Sequence, residues 1–234
     1  MKIRHLVLLL PLLATPAARA ADEPVKTVIN APRFEADVSQ SPEMQPWGRA
    51  AEAICQSWYA RVVQILDSDD TVRPLPPVVK IIFEKDMKGV AHVAGNTMHI
   101  AVPFVKTHLD DFGMVAHELV HLVQRYEGGN PGWLVEGMAD YVRSKHFEPL
   151  IALPRINFEK AKHTDAYKTT AAFLIWIEGK YDTRLIPKLH AAMRARTYKD
   201  ELFKDLTGKD LTALWDEFRQ SNTPPAEPKK EPGA

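Results

Sequence analysis

Hydrophobic residues recur at helical spacing along most of the chain. Residues 47–67 carry apolar side chains that share one helical face, which predicts an amphipathic helix. The same spacing predicts further helices over about 110–126, 133–145, 165–179, 181–196 and 209–220. Pro187 would start or kink one of these helices, because proline lacks the backbone N–H that a helix interior needs. The C-terminal half is therefore predicted to be a helical lobe.

Short β-branched runs interrupt the helical pattern in the N-terminal half. The run "VVKIIFEK" at 78–85 is bounded by proline and aspartate, which predicts a strand. The run "TMHIAV" at 97–102 follows a Gly95-Asn96 turn signal and predicts a second strand. Two earlier runs, "VKTVIN" and "RFEADV", are also typical of short strands. Strands and helices together predict an α+β fold with a small mixed sheet.

The two ends of the chain lack the pattern of a packed core. Residues 1–20 combine Lys2 and Arg4 with an apolar run and an Ala-Arg-Ala cleavage site, which is typical of a secretory signal peptide. That apolar run is shorter than the roughly 20 residues that span a bilayer. Residues 222–234 are rich in proline and predict a disordered tail. We therefore expect one domain over 21–221 in a secreted or periplasmic protein, with no membrane span after cleavage.

Composition and charge exclude several classes of protein. The chain is 45% hydrophobic and 26% charged, which is ordinary for a globular domain. Removal of the predicted signal leaves 27 basic and 30 acidic residues, a net charge of −3. No basic stripe is present, so we expect no nucleic-acid partner. Cys55 is the only cysteine, which excludes an intrachain disulfide and predicts a buried thiol within the first helix.

One predicted helix contains a polar stripe that needs an explanation. In "MVAHELVHLVQ", residues 114–124, apolar side chains would cover almost every side, so the helix belongs in the core. His117, Glu118 and His121 lie within it, although a buried and unpaired carboxylate is costly. His117 and His121 are four residues apart and can direct both imidazoles at one point, as a Zn²⁺ ion requires. The ion would compensate for the stripe, with Glu118 beside it as the general base.

A third ligand is predicted in the next helix. Glu136 and Asp140 of "WLVEGMADYV" are four residues apart and share a helical face. Catalytic zinc commonly takes three protein ligands and leaves a fourth position free. One carboxylate would bind the ion while the other accepts the spare N–H of a liganding histidine. We favour Glu136 as the ligand, with Asp140 as the alternative.

These motifs resemble known families. The stretch "HELVHLVQ", followed by "NPGWLVEGMADYVR", is similar to the basic secretory protein family of plant and bacterial peptidases, within the gluzincin-type zinc metallopeptidases. The resemblance runs from about Val28 to Phe218, and residues 117–143 carry its specific motifs. It implies a zincin-like α+β fold with an antiparallel edge strand, an active-site helix and a helical C-terminal lobe. It also implies Zn²⁺ as the cofactor and a peptide or protein as the substrate.

The resemblance further implies roles for individual residues. Glu136 matches the glutamate that binds zinc downstream of the histidine pair in these peptidases. Asp140 matches their aspartate four residues later, which supports the first histidine, here His117. Tyr167, at the start of "YKTTAAFLIWIEGKY", matches a tyrosine that stabilises the transition state. The run "TMHIAV" is similar to the edge strand that pairs with an extended substrate. An ordinary core tyrosine and an ordinary sheet strand are the alternatives for these last two features.

Two features depart from these relatives, and other functions stay open. The segment between His121 and Glu136 is shorter than in thermolysin-like enzymes, and the mature chain is slightly acidic rather than basic.

The alternative functions are a zinc-binding module without catalysis, a zinc amidase acting on a cell-wall amide, and a metal-free interaction protein. Glu118 argues against the first, because a structural zinc site is closed by four protein ligands and needs no general base.

Overall fold

The computed structural model describes residue 29 and residues 31–69, 73–181 and 184–222. The predicted signal peptide, most of the "VKTVIN" run and all but the first residue of the predicted tail lie outside these ranges. The described strands are β1 (Arg33–Asp37), β2 (Val78–Glu84), β3 (Ala91–Ala94) and β4 (Thr97–Ala101). The described helices are α1 (Gln45–Leu66), α2 (Val102–Thr107), α3 (Gly113–Gln124), α4 (Gly132–Val142), α5 (Tyr167–Lys180), α6 (Leu185–Arg194), α7 (Glu201–Thr207) and α8 (Leu211–Asn222).

The four strands form one mixed sheet, which confirms the predicted α+β class. Their order is β1-β2-β4-β3, with β1 and β4 parallel to β2 and with β3 antiparallel to β4. The prediction that "TMHIAV" is the edge strand is wrong, because β4 pairs on both sides and β3 takes the edge. Met98 and Ile100 of β4 are fully buried, as suits an internal strand. The β3 run "AHVA" is too short and too poor in β-branched residues to show itself in the pattern.

One face of the sheet packs against helices α1 and α3. Val79, Ile81 and Phe83 alternate along β2 and are fully buried on that face. Gly48 of α1 permits a close approach to β1, since an added Cβ would lie 3.0 Å from the Cβ of Ala36. On the same helix the thiol of Cys55 is fully buried, as predicted, and its burial raises its pKa. One part of the core therefore lies between the sheet and these two helices, and the same buried cluster continues into the C-terminal helices.

Six of the eight described α-helices were predicted, with boundaries shifted by a few residues. Helices α2 and α7 were not predicted, because six and seven residues are too few for a clear periodicity. Pro187 is the third residue of α6 and lies in its first turn, as expected for a residue that starts a helix. Within the described ranges, no helix is both long and apolar enough to cross a bilayer.

Helix α4 is held in place by contacts beyond its C-terminus and at its midpoint. At its C-terminus the chain continues as a π-helical turn, Arg143–Phe147, instead of the predicted α-helix. Arg143 donates from Nε to Glu148 (2.9 Å) and from Nη2 to Asp111 (2.6 Å), which ties the end of α4 to the start of α3. At the middle of α4, an added Cβ on Gly137 would lie 2.1 Å from Cγ2 of Thr170. Gly137 therefore lets α5 pack closely against α4.

Candidate metal centre

Helices α3 and α4 bring three potential metal ligands together. Nε2 of His117 lies 3.1 Å from Nε2 of His121, and Oε2 of Glu136 lies 3.1 Å and 3.4 Å from these two atoms. The histidines lie one turn apart on α3, while Glu136 projects from the first half of α4. Among the described residues, these three form the one group whose geometry could hold a metal ion. The arrangement is the one that the sequence motifs predicted.

Asp140 determines which nitrogen of His117 faces the other two ligands. Its Oδ1 accepts a hydrogen bond from Nδ1 of His117 at 2.7 Å, and its side chain is almost fully buried. Because a carboxylate accepts, Nδ1 carries a proton, and in the neutral imidazole Nε2 then presents its lone pair to the triad of His117, His121 and Glu136. Asp140 thus lies behind His117 and outside the group of three potential ligands.

Gln124 likewise determines which nitrogen of His121 faces the other two potential ligands. Its Nε2 donates to the backbone carbonyl of Val135 at 3.1 Å, which leaves its Oε1 to face Nδ1 of His121 at 2.7 Å. An amide oxygen only accepts, so Nδ1 of His121 is the donor and Nε2 presents a lone pair. The sequence motifs predict no role for Gln124. The signal was its position three residues after His121, which places both side chains on one helical face.

The donor atoms fit a metal ion on chemical grounds. Two imidazole lone pairs and one carboxylate oxygen meet within 3.4 Å, and such atoms repel one another unless a positive charge lies between them. A proton forms a directed bond to one acceptor, or is shared between two, whereas a metal ion attracts all three donors at once. The residues present therefore fit a bound cation better than a hydrogen-bond network.

Burial and close hydrogen-bond partners shift the pKa values of His117 and Glu136. Burial opposes the charged form of His117, but its hydrogen bonds with Asp140 and Glu136 raise its pKa to about 9. Burial would raise the pKa of Glu136, yet the hydrogen bonds with His117 and His121 hold that pKa well below its usual range. In the metal-free protein the triad therefore retains a proton on His117, and a metal ion must displace it.

Glu118 lies beside the triad without joining it. Its side chain is 5% exposed, and its buried Oε2 has no hydrogen-bond partner among the described residues. Burial raises the pKa of this carboxyl group, and the nearby His121 and His117 oppose that rise. A buried polar atom without a partner is costly, so its persistence points to a group that the protein atoms alone do not supply.

Tyr167 borders the same site from the first position of α5. Its ring lies 6.1 Å from the ring of His117, and its side chain is 55% exposed. The negative charges of Glu136, with burial and Asp140 adding to them, raise the pKa of its phenol. Ala166 and Tyr167 have φ values of 61° and 45°, a region that costs free energy for residues other than glycine. Helix α5 therefore begins with a strained turn that points its tyrosine towards the triad.

The triad opens into a cleft of about 1310 Å³. Its walls come from β3 and the residues flanking it, from the polar stripe of α3, from the loop 125–130 and from the start of α5. His99 bonds to Glu84 and stacks on His92 with ring centroids 4.8 Å apart. Of these three residues only His92 lines the cleft.

Comparison with known proteins agrees with the site. The family described as peptidases of plants and bacteria matches residues 33–218, a stretch that contains every site residue named above. No curated protein and no solved structure matches the chain. The matched stretch covers most of the chain, and it includes residues 117–143, which carry the resemblance described above. The chain therefore belongs to the basic secretory protein family, the peptidases of plants and bacteria.

Proposed function

We propose that this chain is a zinc-dependent metallopeptidase that hydrolyses peptide bonds. One observation carries the proposal: three lone-pair donors converge beside a buried carboxylate that has no hydrogen-bond partner among the described residues. Two imidazoles and one carboxylate form a ligand set that catalytic zinc commonly takes. A structural zinc site would have a fourth protein ligand, and the described residues supply three.

The distances between the donors support zinc as the metal. Zinc binds nitrogen and oxygen ligands at about 2.0–2.1 Å, so neighbouring ligands of a tetrahedral site lie about 3.3 Å apart. The three separations in the triad are 3.1, 3.1 and 3.4 Å. His117, His121 and Glu136 would therefore hold the ion with little movement. Asp140 and Gln124 would keep both imidazoles in the tautomer that binds it.

Glu118 would perform the proton transfers of hydrolysis. When bound, zinc supplies a Lewis acid that lowers the pKa of a water molecule to about 7 and polarises a carbonyl group. Glu118 accepts the proton of the attacking water as the new C–O bond forms at the peptide carbonyl carbon. It then passes this proton to the departing amine as the C–N bond breaks. Its raised pKa, caused by burial, suits a group that both accepts and returns a proton.

Tyr167 and β3 would act on the substrate. The phenol of Tyr167 can donate a hydrogen bond to the oxygen that becomes negative in the transition state, and its exposure leaves it free to do so. Strand β3 replaces β4 as the strand that pairs with substrate, because β3 lies at the edge of the sheet and lines the cleft. We also propose the zincin-like architecture and export to the periplasm or the exterior, on the resemblance of the motifs and of residues 1–20.

A comparison of the wild type with Glu118→Gln tests this function. The variant keeps the volume of the side chain and removes only its basicity, so zinc content should stay at one ion per chain. Hydrolysis of a denatured protein should fall by about 10²–10⁴-fold, the usual contribution of a general base. Equal turnover by both proteins would remove Glu118 from the mechanism. Zinc-loaded wild type that releases product from peptidoglycan fragments and none from peptides would instead identify a cell-wall amidase.

A further inference from the structure

The cleft extends along α3 on both sides of the triad. Five of its lining residues follow one face of that helix: Met114, His117, Glu118, His121 and Gln124. At 1.5 Å per residue, the distance from the first to the last is about 15 Å. An extended peptide rises about 3.3 Å per residue, so this length accommodates about four to five residues. The two histidines lie near the middle of the stripe, which leaves room for about two substrate residues on each side.

Four glycines in the walls of the cleft have open space where a side chain would lie. Gly89 and Gly95 flank β3, and Gly128 and Gly129 lie in the loop beyond α3. An added Cβ at each of these four positions would meet no heavy atom within 4 Å. A site that removes terminal residues needs a wall where the substrate chain ends, and packed side chains would form that wall. The described residues leave open space at these places instead.

The charged residues of the cleft are mostly neutralised by protein partners. A guanidinium group could anchor the terminal carboxylate of a substrate, and two line the cleft. Arg143 already bonds to Asp111 and Glu148. Arg125 donates from Nη1 to the backbone carbonyl of Arg73. A carboxylate could anchor a terminal ammonium group, yet Glu127 forms ion pairs with Arg73 and Arg196. The side chain of Arg143 is 15% exposed, so a charged terminus would have to displace two close partners there. Glu127 is about half exposed, where a single charge contact contributes little.

Two further charged residues line the cleft beside Tyr167. Asp165 and Lys168 are both exposed to solvent, where a single charge contact contributes little. Oδ2 of Asp165 also accepts the backbone N–H of Lys162 at 2.9 Å. Strand β3, by contrast, offers main-chain groups, which bind the backbone of a substrate wherever it lies along the chain. Recognition in this cleft therefore depends on an extended segment rather than on a chain end.

We propose that the site cleaves internal peptide bonds and binds about two substrate residues on each side of the cut. This inference rests on the proposed function and specifies its substrate as an interior, extended polypeptide segment. The reaction is the hydrolysis described above, with water added across the peptide bond and both products leaving as peptides.

The test uses two sets of octapeptides with the same sequences and the zinc-loaded full chain. One set has an acetylated N-terminus and an amidated C-terminus, and the other has free ends. Values of kcat/KM for the two sets should agree within about threefold, and mass spectrometry should locate the cuts near the middle. A terminal charge bound by the site would instead cost the blocked set about tenfold or more.

Several outcomes would overturn the inference. Cuts confined to the first or last two residues, or hydrolysis of the free-ended set alone, would identify an exopeptidase. Asp165→Asn and Lys168→Ala should leave the ratio of the two kcat/KM values unchanged, and a variant that slows only the free-ended set would locate a terminal anchor. No hydrolysis of either set would overturn the proposed function itself, and with it this inference.

A substitution in the open loop gives a second measurement. Gly128→Trp should lower kcat/KM for the blocked octapeptides by about tenfold, since it fills space that the substrate needs without meeting protein atoms. Gly179→Trp is the control, because Gly179 also has nothing within 4 Å and lies outside the cleft. Equal activity of the two variants would show that substrate does not extend past Gly128 and would contradict the proposed two-sided cleft.

Discussion

Gln124 fixes the orientation of His121 by accepting a hydrogen bond from its Nδ1 at 2.7 Å. The glutamine is itself held by the backbone carbonyl of Val135, so residues of α3 and α4 share the task of aiming one imidazole. Asp140 holds His117 in the same manner from α4. The two histidines thus have different supports, one neutral and one charged.

These supports should determine metal affinity. Asp140→Asn replaces a charged acceptor by a neutral amide, and Gln124→Ala leaves Nδ1 of His121 without its partner. We expect each variant to bind zinc about 10–100-fold more weakly, as measured by competition with a chromophoric chelator. Gln64→Ala is the control, because Gln64 is an exposed residue of α1. If Asp140→Asn and Gln64→Ala bind zinc equally well, the hydrogen bond to His117 has no role in the site.

The contact between α4 and α5 should tolerate no side chain at Gly137. Gly137→Ala would place a Cβ 2.1 Å from Cγ2 of Thr170, so we expect overpacking to lower the free energy of unfolding by about 1–3 kcal/mol. Gly179→Ala, in α5, has open space around it and should raise that free energy by up to about 1 kcal/mol. Denaturant unfolding of the two variants measures both effects. If Gly137→Ala left the free energy of unfolding unchanged, α4 and α5 would be able to move apart without cost.

Tyr167 should contribute to the rate rather than to substrate binding. Tyr167→Phe removes one hydrogen-bond donor and keeps the ring near His117. Because the oxygen becomes negative only in the transition state, we expect kcat to fall by about 10–100-fold with KM nearly unchanged. Steady-state kinetics on one peptide gives both values. A higher KM at constant kcat would assign Tyr167 to substrate binding instead.

The stability of the metal-free protein should fall as the pH rises from 6.5 to 9. The pKa of His117 is raised from 6.5 to about 9, so folding favours its charged form. This contribution to the free energy of unfolding is fully present below pH 6.5. It is lost as the pH rises through about 9, the pKa of His117 in the folded protein. His190 acts at lower pH, because burial lowers its pKa to about 4 and its neutral form is favoured. Thermal unfolding of chelator-treated protein at the two pH values measures the change.

A variant supplies the control for that pH dependence. Asp140→Asn removes the charge that helps raise the pKa of His117, so its melting temperature should change less between pH 6.5 and 9. An identical change in variant and wild type would mean that other groups cause the effect. Zinc should also suppress the pH dependence, because the metal replaces the proton on His117.

The fold class and the convergence of two histidines on one helical face could be predicted because both follow from local periodicity. His117 and His121 are separated by one helical turn, and that spacing is visible in the sequence. The next helix offered two carboxylates one turn apart, Glu136 and Asp140, and the resemblance supported Glu136 over Asp140. The α+β class followed in the same way from alternating strands and helical runs.

Other features depend on contacts between segments far apart in the chain, which local patterns do not show. The edge of the sheet was assigned to β4, because strand order is decided by which strands pair and not by their composition. The role of Gly137 depends on Thr170, 33 positions later, and the role of Arg143 depends on Asp111 before it. The short β3 became a strand because β4 lies beside it.

Titration of the metal-depleted protein with Zn²⁺ tests the central claim most directly. Peptidase activity should be absent from chelated protein and should rise linearly with added zinc to a plateau at one equivalent per chain. His121→Ala, which removes one of the three donors, should show no such plateau. Full activity in the chelated wild-type protein would contradict the account.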